Sequence, residues 1–60
     1  MCEFKVFLDD EKVFDDAIYL AWKDGNVVLR AVLGETKIVE HCRIVEVNVA
    51  SQKVVLTSRK

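Results

Sequence analysis

The stretch Ile18-Tyr19-Leu20-Ala21-Trp22-Lys23-Asp24-Gly25-Asn26-Val27-Val28-Leu29-Arg30-Ala31-Val32 decides the fold. At its centre, Asp24-Gly25 is a preferred two-residue hairpin loop whose backbone needs positive φ. Taking those residues as the loop sets Trp22 opposite Val27, Leu20 opposite Leu29 and Ile18 opposite Ala31, six side chains on one face. The other face pairs Ala21 with Val28 and Tyr19 with Arg30, a mixed surface suited to partial burial or a subunit contact.

Working outward, the segment from Cys2 to Leu8 alternates Cys2, Phe4, Val6 and Leu8 on one face with Glu3, Lys5 and Phe7 on the other, the period of a half-buried strand. Asp9-Asp10-Glu11-Lys12 breaks that pattern, and Val13 to Asp16 is expected to lead irregularly, with room for a short helical turn, into the hairpin. Beyond the hairpin, Leu33-Gly34-Glu35-Thr36 reads as a turn and Lys37 to Glu40 as a short strand. Arg43 to Val49 sets Val45, Val47 and Val49 on one face and Ile44, Glu46 and Asn48 on the other, and Ala50-Ser51-Gln52 turns into a last strand, Lys53 to Thr57. Eleven Val, three Ile and two Thr make 16 of 60 residues β-branched, side chains that lose rotamer freedom in helices and pack well on a pleated surface. The expectation is an all-β domain over residues 1–60, with about six short antiparallel strands in a closed or nearly closed barrel.

A chain of 60 residues buries only about 60% of the surface its unfolded form exposes, so a partner, metal or disulfide is expected to add stability. With 52% hydrophobic residues in so small a body, apolar surface must stay exposed, which favours oligomerisation. Nine Lys and Arg against ten Asp and Glu leave a net charge of −1, too little for strong general attraction to nucleic acid or an anionic membrane. No run of about 18 apolar residues and no basic-then-apolar leader is present, so a cytoplasmic protein is expected, with its two cysteines reduced.

The chemistry centres on Cys2. A cysteine there suits the first core position of a strand. It also directly follows Met1, and aminopeptidases generally remove Met before so small a residue, leaving an α-amine and a thiol that close a five-membered chelate. A thiolate with nitrogen donors in a planar array suits Ni(II) or Cu(II), and neighbouring backbone amides can add ligands. His41-Cys42 is a weaker pair, because adjacent strand residues point to opposite faces; Cys42 is expected in the core and His41 at the surface. Asp9, Asp10, Glu11, Asp15 and Asp16 lack the spacing and central glycine of a calcium loop and read as a solvated segment. With a single His beside Cys42 and no Gly-rich phosphate cradle, the chain is expected not to be an enzyme.

The Met-Cys-Glu-x-Lys-Val opening, the Ala-Trp-Lys-Asp-Gly-Asn-Val hairpin, the Leu-Gly-Glu-Thr turn and the closing Ile-Val-Glu-Val-Asn-Val-Ala-Ser-Gln-Lys-Val-Val-Leu resemble the CooT family of small cytoplasmic proteins. The resemblance covers nearly the whole chain. It implies a homodimer of small SH3-like or Sm-like barrels that binds Ni(II) through Cys2 and acts as a nickel chaperone or carrier, with carbon monoxide dehydrogenase as a recipient. His41-Cys42 departs from that family pattern. The family is also labelled predicted RNA-binding, and the alternative reading is a small RNA-binding barrel using Tyr19 and Arg30 with Lys5, Arg43 and Phe7.

Overall fold

The computed structural model describes residues 3–59. Cys2, the predicted metal ligand, lies outside the described residues. Six strands, β1 (Phe4–Leu8), β2 (Glu11–Lys23), β3 (Asn26–Ala31), β4 (Thr36–Val39), β5 (Cys42–Asn48) and β6 (Lys53–Ser58), form one sheet in the order β4-β3-β2-β1-β6-β5. The class is all-β, as the sequence predicts.

The central hairpin forms with the predicted loop, Asp24 and Gly25 at φ 54° and 80°. Trp22 pairs with Val27, Leu20 with Leu29, Ala21 with Val28 and Tyr19 with Arg30. The predicted Ile18–Ala31 pair does not form, because Ile18 is an extra residue on β2 and Ala17 takes its place opposite Ala31. That bulge turns the small Ala17 into the core and leaves Ile18 46% exposed. A second two-residue loop, Asp9-Asp10 at φ 49° and 78°, joins β1 to β2 with Leu8 opposite Glu11. Val13 to Asp16 is therefore not helical but an irregular part of a 13-residue strand, bent where its register with β1 shifts twice and where Asp16 reaches φ 58°.

The strands are not all antiparallel. β1 and β6 run parallel, Lys5 beside Lys53 through Leu8 beside Leu56, tied at the ends by Lys5 N–H to Gln52 O at 2.9 Å and Asp9 N–H to Leu56 O at 3.0 Å. The cause lies between β4 and β5. Every other connection is a reversal, whereas β4 and β5 run in the same sense, joined through Glu40 and a His41 at φ 55°. This corner, in place of a fifth reversal, brings the last strand in parallel to the first.

The same corner curls the sheet. β4 and β5 are its two edges, yet only two residues separate Val39 from Cys42, so those ends lie within about 11 Å of each other. A flat sheet of six strands would hold its edges roughly 24 Å apart. No ladder joins β4 to β5, however, so the sheet is curled but not closed into the predicted barrel. Cys42 N–H instead donates to Gly25 O at 2.8 Å, Trp22 Nε1 to Cys42 O at 3.0 Å and His41 N–H to Asn26 Oδ1 at 3.2 Å, pinning the corner to the hairpin tip.

Inside the curl, Val6, Ala17, Val27, Leu29, Val39, Cys42, Val54 and Leu56 form the core, with Phe4, Leu8, Leu20 and Ile44 packed against it. The valines of β5 do not share one face as predicted. Val45 is an extra residue, so Ile44 faces the buried Leu56 and Val47 faces the buried Val54 across the bulge.

Two outcomes follow from this geometry. Left-handed backbone costs a branched residue roughly 1–3 kcal/mol, so His41→Val lowers the urea-unfolding free energy by that order while His41→Gly leaves it nearly unchanged. The second concerns Asp9. Hydrogen bonds from Ser58 and Thr57 hold its carboxyl below the ordinary 3.8. A folded pKa depressed in this way stabilises above the unfolded value, and that contribution is lost as pH falls through the folded one. Asp9→Asn therefore flattens the stability profile below about pH 4, read by thermal unfolding across pH.

Candidate functional site

The chain's two thiols differ in what is known of their setting. Cys42 begins β5 beside the corner with 0% exposure. Its Sγ donates to Val39 O at 3.3 Å, and both its backbone groups are bound to the hairpin. Burial pushes its thiol pKa up, against a smaller opposing effect of a hydrogen bond from the Val27 backbone. A thiol so placed resists ionising, and thiolate is the metal-binding form. Cys42 is a core residue, as predicted.

His41 is exposed, and its backbone explains why it is there. Its N–H bonds to Asn26 and its carbonyl accepts from Arg59 N–H at 2.6 Å, so the residue shapes a corner. Among the described residues, no group of three His, Cys, Asp or Glu side chains is gathered as a metal would need. The acidic residues are divided among other tasks: Asp9 caps Thr57 and Ser58, and Asp15 pairs with Lys12 at 3.2 Å.

Near the start of β1 the surface is apolar. Phe4, Ala17, Ile18, Tyr19, Leu20, Val47 and Val54 line a cleft of about 170 Å³. Phe4 is two positions from Cys2 in the chain. The bulge at Ile18 and the free edge at Val47, which is 52% exposed, leave this cleft open.

The predicted RNA-contact residues are dispersed. Arg30 stacks over the Tyr19 ring at 5.0 Å on the β2–β3 hairpin. Lys5 stands on β1 beside Lys53, and it is Lys53 that covers the Phe7 ring, at 5.2 Å. Arg43 is on β5, where it lines a separate concavity with Trp22, Ile44 and Arg59. The sequence reading missed Trp22 and Arg59 as partners of Arg43. Their proximity comes from the corner, which carries no signal in hydrophobic periodicity.

Comparison with known proteins extends the assignment. No curated protein matches the chain in sequence. In structure it is similar to the protein assigned as CooT in Carboxydothermus hydrogenoformans, with a TM-score of 0.86 and 16% identity over 98% of this chain and 100% of that one. That likeness establishes a shared fold. The model of the family described as CO dehydrogenase accessory protein CooT matches residues 1–57, a span that includes Met1-Cys2 as well as all six strands except the last residue of β6. The chain therefore belongs to the CooT family, accessory proteins of CO dehydrogenase rather than enzymes.

Proposed function

We propose that this protein is a homodimeric cytoplasmic nickel carrier that binds Ni(II) through Cys2 and serves carbon monoxide dehydrogenase. The observation that carries this reading is the burial of Cys42: with one thiol at 0% exposure and hydrogen-bonded to Val39 O, Cys2 is the remaining candidate for a soft metal. Family membership supplies the nickel-enzyme context. In this reading nickel is cargo, taken up by the Cys2 thiolate together with nitrogen donors of the chain's start.

The apolar cleft supports the dimer. Ile18, Tyr19 and Val47 are each about half exposed, and with Phe4 they form an apolar surface on a domain too small to leave it in water without cost. A second copy covering this face would place two chain starts near one another, and two half-sites could then share one metal.

Four measurements test these points. Titration of the Met-processed protein with Ni(II) produces thiolate-to-nickel charge-transfer absorption that Cys2→Ser abolishes and Cys42→Ser leaves intact; nickel binding by Cys2→Ser as tight as by the wild type removes the reading. Because the thiol must lose its proton, nickel affinity falls as pH drops below neutrality. In the folded protein Cys42 resists alkylation and reacts only in denaturant, which peptide mapping by mass spectrometry resolves. Sedimentation of Val47→Glu gives a monomer where the wild type gives a dimer; an unchanged sedimentation coefficient moves the interface elsewhere.

A further inference from the structure

The concavity at the hairpin tip has no part in the nickel reading, and its chemistry is specific. Trp22 and Ile44 line it, Arg43 and Arg59 line it with them, and its volume is about 430 Å³, within the range of about 300–1,000 Å³ typical of ligand pockets. Each feature has a cause in the fold. The indole is held by Nε1–H donating to Cys42 O at 3.0 Å, yet the side chain is 50% exposed, so an oriented aromatic surface meets solvent. Arg43 pairs with Thr57 across β5 and β6, and Arg59 follows two residues after Thr57. That diagonal spacing is about 7–8 Å, within reach of two long side chains converging on one group. The Arg59 guanidinium also lies across the hairpin turn, where a Cβ on Gly25 would come within 3.1 Å of its Nη1.

Among the described residues, neither guanidinium meets a competing carboxylate. Among the described residues the ion pair formed is Lys12 with Asp15, far along β2, and neither arginine has a carboxylate within 4.0 Å. Asp9, which reaches the end of β6, has its two oxygens bonded to Thr57 and Ser58. Among the described residues the indole is not covered by a cation, since the cation–aromatic contacts join Arg30 to Tyr19 and Lys53 to Phe7. Two guanidiniums lining one concavity with a fixed aromatic ring match a ligand with an anionic head and a flat unsaturated body, because guanidinium forks bind carboxylate or phosphate bidentately and the ring stacks the remainder.

We propose that Trp22, Ile44, Arg43 and Arg59 form a binding site for a small planar organic anion. Its carboxylate or phosphate head lies between the guanidiniums and its ring against the indole. The site is independent of nickel and is tested on metal-free protein.

Trp22 is the one tryptophan of the chain, so its fluorescence reports the site directly. The protein is titrated with AMP, with benzoate and with inorganic phosphate. Saturable quenching by AMP, by benzoate or by both, reversed by inorganic phosphate in excess, sustains the site, and the more effective probe identifies its head group. Arg43→Ala and Arg59→Ala each weaken binding about tenfold, whereas Lys12→Ala, outside the concavity, leaves it unchanged. Far-ultraviolet circular dichroism confirms that each variant is folded, as expected for exposed arginines. Absence of saturable quenching by either organic probe to millimolar concentration overturns the proposal, as does binding that neither arginine replacement weakens.

Discussion

The structure depends on the two residues between Val39 and Cys42. The edge strands of a six-stranded sheet are joined through Glu40 and His41, and no arrangement with distant edges can satisfy so short a connection. The curl of the sheet, the parallel return of β6 and the enclosure of the core all follow. Hydrogen bonds from Cys42 N–H to Gly25 O and from Trp22 Nε1 to Cys42 O then hold the edges together where strand pairing does not. The backbone of Cys42 thus does as much for the fold as its side chain does for the core. Because the thiol is placed by that backbone, its withdrawal from solvent is a result of the topology.

The bulges have a comparable role at the other end. Ile18 and Val45 each interrupt a ladder, and each changes which side chains face inward on its strand. Ala17 replaces Ile18 in the core, and Val47 comes to face Val54 from an exposed edge. An uninterrupted alternation would bury Ile18 opposite Ala31 and close the surface beside Phe4. The open apolar cleft is therefore made by irregularity in the strands.

Much of this was legible in the sequence because it is local. The Asp24-Gly25 loop set four of the pairings across β2 and β3, since a two-residue turn leaves no freedom of register. The alternation of Phe4, Val6 and Leu8 likewise identified the inward face of β1. Asp9-Asp10 was less visible: without a glycine, its positive φ angles resemble an ordinary acidic loop. The bulges could not be read, because an extra residue changes pairing between strands without changing the composition of either. The corner at His41 was hidden for another reason. A histidine in left-handed conformation is uncommon, and its consequence, a parallel pair between the first and last strands, appears only once the whole sheet is assembled. For the candidate sites, burial of Cys42 was foreseeable from its neighbour's position on the opposite face, whereas the meeting of Trp22 with Arg43 and Arg59 required the corner.

The extra residue at Val45 has a meaning for the molecule's behaviour in a crowded solution. β5 is a free edge carrying exposed valines, and straight edges of that kind offer unpaired amides and carbonyls on which further chains can polymerise. The bulge breaks the regular spacing of those groups midway along the strand. A neighbouring chain can then pair with only a short segment before losing register. The exposed valines of β5 therefore form a poorer template for fibre growth than a straight edge would.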